Sequence, residues 1–166
     1  LAPCDPRDRV CVPGARADYY SADLWCVLPG SEGKPREWSQ GWHRDPEADR
    51  LVKVFLFLED VTEESGPFEY VAQSHNGGFP AACPPRRYAS TERVESIPDG
   101  HKRRFVAPTG TLVFADTSGL HRGGYTKSRH RLNAIWTYLP EGKPKFTLES
   151  LPADLSELQR QALSLN

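Results

Sequence analysis

The sequence predicts an all-β domain, a double-sheet jelly roll with a few peripheral helices. Three observations predict it. Fifteen Pro and 13 Gly cut the 166 residues into short runs, as expected where strands outnumber helices. Six of those runs read as strands, and only one late run reads as a helix. A single long excursion separates the fourth strand from the fifth, which a double-sheet jelly roll accommodates. With 38% hydrophobic and 26% charged residues, the chain is one ordinary globular domain, its core spanning about residues 17–140.

The first two candidate strands cover residues 17–28 and 38–43. The third covers residues 51–59, where the run LVKVFLFL is apolar on both alternating faces except at Lys53. A strand of that kind is expected to be covered on both sides of its sheet. The chain contains no Met and begins at Leu1. An N-terminal portion of the fold is therefore expected to lie outside it, and that portion is the natural cover. The fourth strand covers residues 68–72.

Residues 73–110 come next as a polar, Pro-rich stretch carrying Arg86, Arg87, Arg93, Lys102, Arg103 and Arg104. Loops this long without periodicity are uncommon unless functional, so a lid-like insertion is expected here. The fifth strand, 111–115, comes after a Pro108-Thr109-Gly110 turn, and the sixth covers 131–139. A helix is expected within residues 150–164, with Ser150 as N-cap and Leu155, Leu158 and Ala162 on the face that meets a sheet.

Net charge is −1, so no bulk electrostatic attraction to nucleic acid or an anionic membrane is expected. No apolar run approaches a membrane span, and the start does not read as a signal peptide. Cys4, Cys11, Cys26 and Cys83 show no Cys-x-x-Cys spacing, which argues against a zinc knuckle or a redox pair. A domain of this size does not need disulfides, so reduced thiols in a cytoplasm are expected.

The chemistry gathers around Gly41-Trp42-His43-Arg44-Asp45. In an extended chain residues i and i+2 point to the same side, so His43 and Asp45 can share one metal. Two His and one carboxylate on one face is the non-haem iron arrangement. The third ligand must come from a distant strand, and GTLVFADTSGLHRGG offers it: a turn, an apolar strand, a polar turn, then His121. His75 and His101 sit in turn-rich polar sequence, and His130 directly precedes a strand. Asp116 competes with Asp45 as the carboxylate.

Such a site leaves three coordination positions open. A keto-acid cosubstrate fills two and needs a cation for its far carboxylate. Arg131 at the start of the last strand is preferred, since an Arg fork matches a carboxylate bidentately. Asn133 on the same face is a secondary donor, and Arg129 and Arg122 are rival anchors. Lys53 reads either as a snorkelling edge residue or as a charge near the cavity. Trp42 and Trp25 are expected in the core.

The ordered set GWHRD, KVFLFLEDVTEESGPFEYVAQSH, GTLVFADTSGLHRGG and RLNAIW resembles the phytanoyl-CoA dioxygenase family over about residues 19–138. The resemblance implies a double-stranded β-helix, iron(II) as the metal and 2-oxoglutarate as cosubstrate. On matching positions it implies His43, Asp45 and His121 as iron ligands and Arg131 as the 2-oxoglutarate anchor. It also implies that Gly66 and Pro67 shape a turn and that Phe68 starts a strand lining the cavity. The family's usual N-terminal region is expected to lie outside these residues.

The expected activity is oxidation, most often hydroxylation, of a small organic substrate by dioxygen, with release of succinate and CO2. The substrate itself is not legible. A non-redox, cupin-like metal protein of sugar-binding or isomerase type is the alternative, but it has no need of an Arg opening the last strand. A zinc hydrolase on the same ligands would call for an adjacent general base, and no acidic residue stands out for it. Halogenases of this superfamily replace the carboxylate ligand by a small residue, which Asp45 argues against.

Overall fold

Alternation along one strand sets the architecture. In β7 (Arg131–Leu139) the residues Arg131, Asn133, Thr137 and Leu139 are buried, the period of two expected when one face looks inward. Strand β7 lies between β1 (Asp18–Val27) and β2 (Val52–Phe57), and β5 (Leu112–Ala115) flanks β2. All three pairings are antiparallel. A second antiparallel sheet has the order β4 (Lys102–Phe105), β3 (Phe68–Val71), β6 (His121–Gly123). The computed structural model describes residues 18–30, 32–35, 38–75, 87–140 and 154–162.

The sheets meet through Phe55, Phe57, Val113 and Ala115 of the larger and Phe68 and Tyr70 of the smaller. The Phe55 and Phe68 rings cross this interface with centroids 4.8 Å apart. Phe57 is 1% exposed, and burial of such a side chain stabilises the fold by about 1.5–3 kcal/mol. Trp42, Val71, Val94, Ile97 and Leu120 form a second cluster. Its cover is α1 (Thr91–Glu95), which starts where the Ser90 side chain accepts a hydrogen bond from the Arg93 amide.

Five expected strands are present within two residues of their anticipated bounds. The strand at 38–43 is not. Residues Trp38–Gln40 form a 3-10 turn, and His43 makes only isolated bridges, to Tyr88 and His121. Nor is the stretch 73–110 one continuous excursion, because α1 and β4 lie within it and β4 is built into the smaller sheet. Residues 76–86 lie outside the described residues.

On β2, Phe55 and Phe57 enter the core while Val54 and Leu56 stay half-buried on the outer face. Leu24, Leu112 and Phe114 on that same outer face are exposed by 69%, 51% and 58%. The doubly apolar strand therefore has one face packed and one still partly open among the described residues. Helix α2 (Glu157–Ala162) falls inside the expected range, but Leu158 is 77% exposed rather than packed on a sheet. Ser150 lies outside the described residues, as do Cys4, Cys11 and Cys83. Cys26 is an exposed free thiol. No helix among the described residues is long and apolar enough to cross a membrane.

Candidate metal centre

His43 and His121 come from opposite sides of a two-way backbone clasp. The amide of each donates to the carbonyl of the other at 3.0 Å. This is the close pairing of directly opposed antiparallel residues, and it holds the two rings 4.2 Å apart. Asp45 is fixed two residues on by its own amide, which donates to the Thr117 carbonyl at 2.9 Å. Arg44 between them points the other way, and its buried guanidinium donates to the carbonyls of Ser74 and Ser118. The segment GWHRD is thus stitched to the 117–121 turn without being part of a regular strand.

Both imidazoles are oriented alike. Nδ1 of His43 lies 2.8 Å from the Gly41 carbonyl, and Nδ1 of His121 lies 3.0 Å from the Gly119 carbonyl. A carbonyl only accepts, so Nδ1 carries the proton and the Nε2 lone pair is left for a metal. Asp45 Oδ1 lies 3.7 Å from His43 Nε2, and Oδ2 lies 3.5 Å from His121 Nε2. One ligand atom from each of the three residues falls within 4.8 Å of the others.

The protonation states suit coordination. Burial pushes the His121 pKa down to about 4, against the opposing pull of Asp45, so the ring is neutral at pH 7. Burial alone would raise the Asp45 carboxyl, but His121, protonated in the acid range where carboxylates titrate, and the Lys53 ammonium outweigh it and hold the pKa below the ordinary carboxylate value. A neutral His121 imidazole, the His43 imidazole beside it and one carboxylate are a donor set that iron(II) accepts with positions left open.

These residues face a cavity of roughly 120 Å³ between the sheets, together with Lys53, Phe68, Arg131 and Asn133. Arg131 is buried, and burial pushes its pKa down to about 10, which still leaves it charged at neutral pH. Its Nη1 donates to the Ser65 carbonyl at 3.4 Å, while its Nε and the Asn133 side-chain oxygen are buried without a partner among the described residues. An unpaired buried polar atom costs about 1–3 kcal/mol, and Arg131 Nε, a donor, suits an acceptor ligand such as a carboxylate. Gly123 makes room for the guanidinium: a Cβ there would lie 2.9 Å from Arg131 Nη2.

The other candidates face elsewhere. Asp116 Oδ1 accepts from the amide and hydroxyl of Ser118 and so shapes the turn. Arg122 pairs with Glu69 at 2.7 Å and lies over the Trp42 ring. Arg129 is exposed, and His130 pairs with Glu59 at 2.8 Å. Trp42 is in the core, but Trp25 is 47% exposed and lines the cavity. Lys53 turns inward, with Nζ 2.8 Å from Asp45 Oδ2 and 3.5 Å from Glu47 Oε1. Its period with Phe55 and Phe57 was the signal for that. The Gly66–Pro67 turn has Gly66 at φ 67°, and Phe68 opens β3 beside the cavity.

A family model described as phytanoyl-CoA dioxygenase (PhyH) matches residues 23–132. Among solved structures, the chain is similar to the non-heme alpha-ketoglutarate-dependent epimerase SnoN from nogalamycin biosynthesis. The TM-score is 0.54 at 16% identity, over 75% of this chain and 50% of that one. EvdO2 from Micromonospora carbonacea var. aurantiaca, complexed with 2-oxoglutarate, gives 0.52 at 17% identity, over 74% and 51%. The non-heme monooxygenase ThoJ gives 0.52 at 19%, over 74% and 46%. At these identities the likeness is one of fold, and the chain spans about half the length of these structures. No curated protein matches the chain.

Proposed function

The chain belongs to the phytanoyl-CoA dioxygenase family, and from that premise we propose that it is an iron(II)- and 2-oxoglutarate-dependent oxygenase on a double-stranded β-helix. We read its reaction as hydroxylation of a small organic substrate. The observation that carries this reading is the meeting of His43, Asp45 and His121 in one cavity with a buried, incompletely paired Arg131. Iron(II) with 2-oxoglutarate, when bound, supplies dioxygen activation coupled to oxidative decarboxylation of the keto acid to succinate and CO2.

The chain's own residues supply geometry rather than a nucleophile or a general base. The two imidazoles offer Nε2 because their Nδ1 protons are spent on backbone carbonyls. Asp45 offers a charged oxygen at neutral pH. Arg131 meets the far carboxylate of the keto acid, with Asn133 beside it as a second polar contact. Phe55, Phe68 and Ile135 line the apolar remainder of the cavity. A cupin-like metal protein without redox chemistry would leave Arg131 unexplained.

The test is uncoupled turnover. The protein, iron(II), 2-oxoglutarate and dioxygen should release succinate above a metal-free control, and His121→Ala should remove that release. Succinate formation equal in the parent and in His121→Ala would reject the reading.

A further inference from the structure

Lys53 has no role in the proposed oxygenase chemistry, yet it makes the closest ionic contact at the site. Its Nζ lies 2.8 Å from Asp45 Oδ2, with side chains 18% and 10% exposed respectively. Among the described residues it is the only permanent cation paired with Asp45. It is the second residue of β2, registered opposite Ala115 of β5 and Thr137 of β7, so its backbone is held from both sides. A second contact, 3.5 Å to Glu47 Oε1, draws the ammonium to one edge of the carboxylate. Among the described residues Oδ1 pairs with no lysine or arginine, and His43 Nε2 lies 3.7 Å from it.

We propose that Lys53 is a positioning residue that reserves Oδ2 of Asp45, so that the carboxylate reaches the metal through Oδ1 alone. This rests on the reading of the site as an iron(II) centre. The count of positions gives the reason. Three protein atoms leave three of six sites, two for a chelating keto acid and one for dioxygen. A carboxylate binding through both oxygens would take a fourth site, and keto acid and dioxygen could no longer both fit. An ammonium ion-paired with Oδ2 opposes that mode, and burial strengthens the opposition because the lysine has little water to retreat into.

The test compares Lys53→Met and Lys53→Arg with the parent, using cobalt(II) alone and then iron(II) with 2-oxoglutarate under anaerobic conditions. In Lys53→Met the visible cobalt spectrum should change before any keto acid is added, as Oδ2 joins the metal. Cobalt affinity should be equal or higher, whereas 2-oxoglutarate affinity of the iron form should fall about tenfold or more. Lys53→Arg should keep the parent's spectrum.

A cobalt spectrum unchanged in Lys53→Met, or a 2-oxoglutarate affinity within threefold of the parent, would overturn the proposal. So would a joint loss of cobalt affinity and melting temperature, which would mark Lys53 as a structural prop. A parent that binds no cobalt would instead overturn the iron reading, and this proposal with it.

Discussion

His43 and His121 exchange both of their backbone hydrogen bonds, each amide donating to the other's carbonyl at 3.0 Å. The clasp makes two residues distant in sequence into direct neighbours, and it fixes their rings before any metal arrives. Replacing either imidazole, or Asp45, therefore removes a donor without breaking the backbone clasp.

Asp45→Ala and His121→Ala are expected to lose iron(II) binding while keeping the circular dichroism of the parent. Equilibrium dialysis with metal analysis reads the first, and far-ultraviolet spectra read the second. Asp45→Ala protein holding iron as tightly as the parent would move the carboxylate role to another residue.

Arg131→Ala should weaken 2-oxoglutarate binding by about 2–5 kcal/mol, the cost of losing one partner of a buried charged contact. Arg131→Lys should recover only part of that, since an ammonium cannot reproduce the fork. Arg129→Ala should bind normally because Arg129 is exposed. Calorimetric titration of the three variants reads the contrast, and a reversed order would transfer the anchor to Arg129.

The metal-free protein should lose stability as pH falls from 6.5 toward 4. His121 has its pKa depressed to about 4 in the fold, against an ordinary 6.5. In that window the unfolded chain binds a proton that the folded chain refuses, so stability rises with pH. Asp45, also depressed, adds in the same sense only below its ordinary value, as falling pH reaches its folded pKa. Urea unfolding in chelator at a series of pH values should show a smaller slope between pH 4 and 6.5 in His121→Gln. An equal slope in both proteins would contradict this.

Gly66→Ala should cost about 1–3 kcal/mol or more. Gly66 has φ 67°, and a Cβ there would lie 2.4 Å from the Gly124 carbonyl oxygen. A backbone clash of that size cannot be relieved by a rotamer change. Thermal unfolding measures it, and a melting temperature equal to the parent's would contradict the crowding.

The legible parts of the sequence were those with apolar alternation. Strands β2, β3, β5 and β7 each bury one face and write the pattern in their side chains, whereas β1 buries only Tyr19 and Ser21. Strand β4 reads KRRF, with Arg103 and Arg104 exposed, so a single apolar residue, Phe105 against Phe68, is too little for an alternation to show. Strand β6 is three residues ending in Gly, too short for a period. The segment before His43 looked extended, but residues Trp38–Gln40 turn and only isolated long-range bridges hold His43 itself. Spacing alone could pair His43 with Asp45, whereas the pairing with His121 depends on a clasp between distant loops. The inward turn of Lys53 follows from its period with Phe55 and Phe57, whereas its contact with Asp45 depends on a long-range approach that no local pattern records.

The most direct measurement is an anaerobic titration of 2-oxoglutarate into iron(II)-loaded protein, monitored by visible absorption. Chelation of the keto acid should produce a charge-transfer band that saturates at one equivalent, stays absent in His121→Ala and requires much more ligand in Arg131→Ala. Iron retained by the parent with no band at saturating 2-oxoglutarate, or a band undiminished in His121→Ala, would contradict the site described.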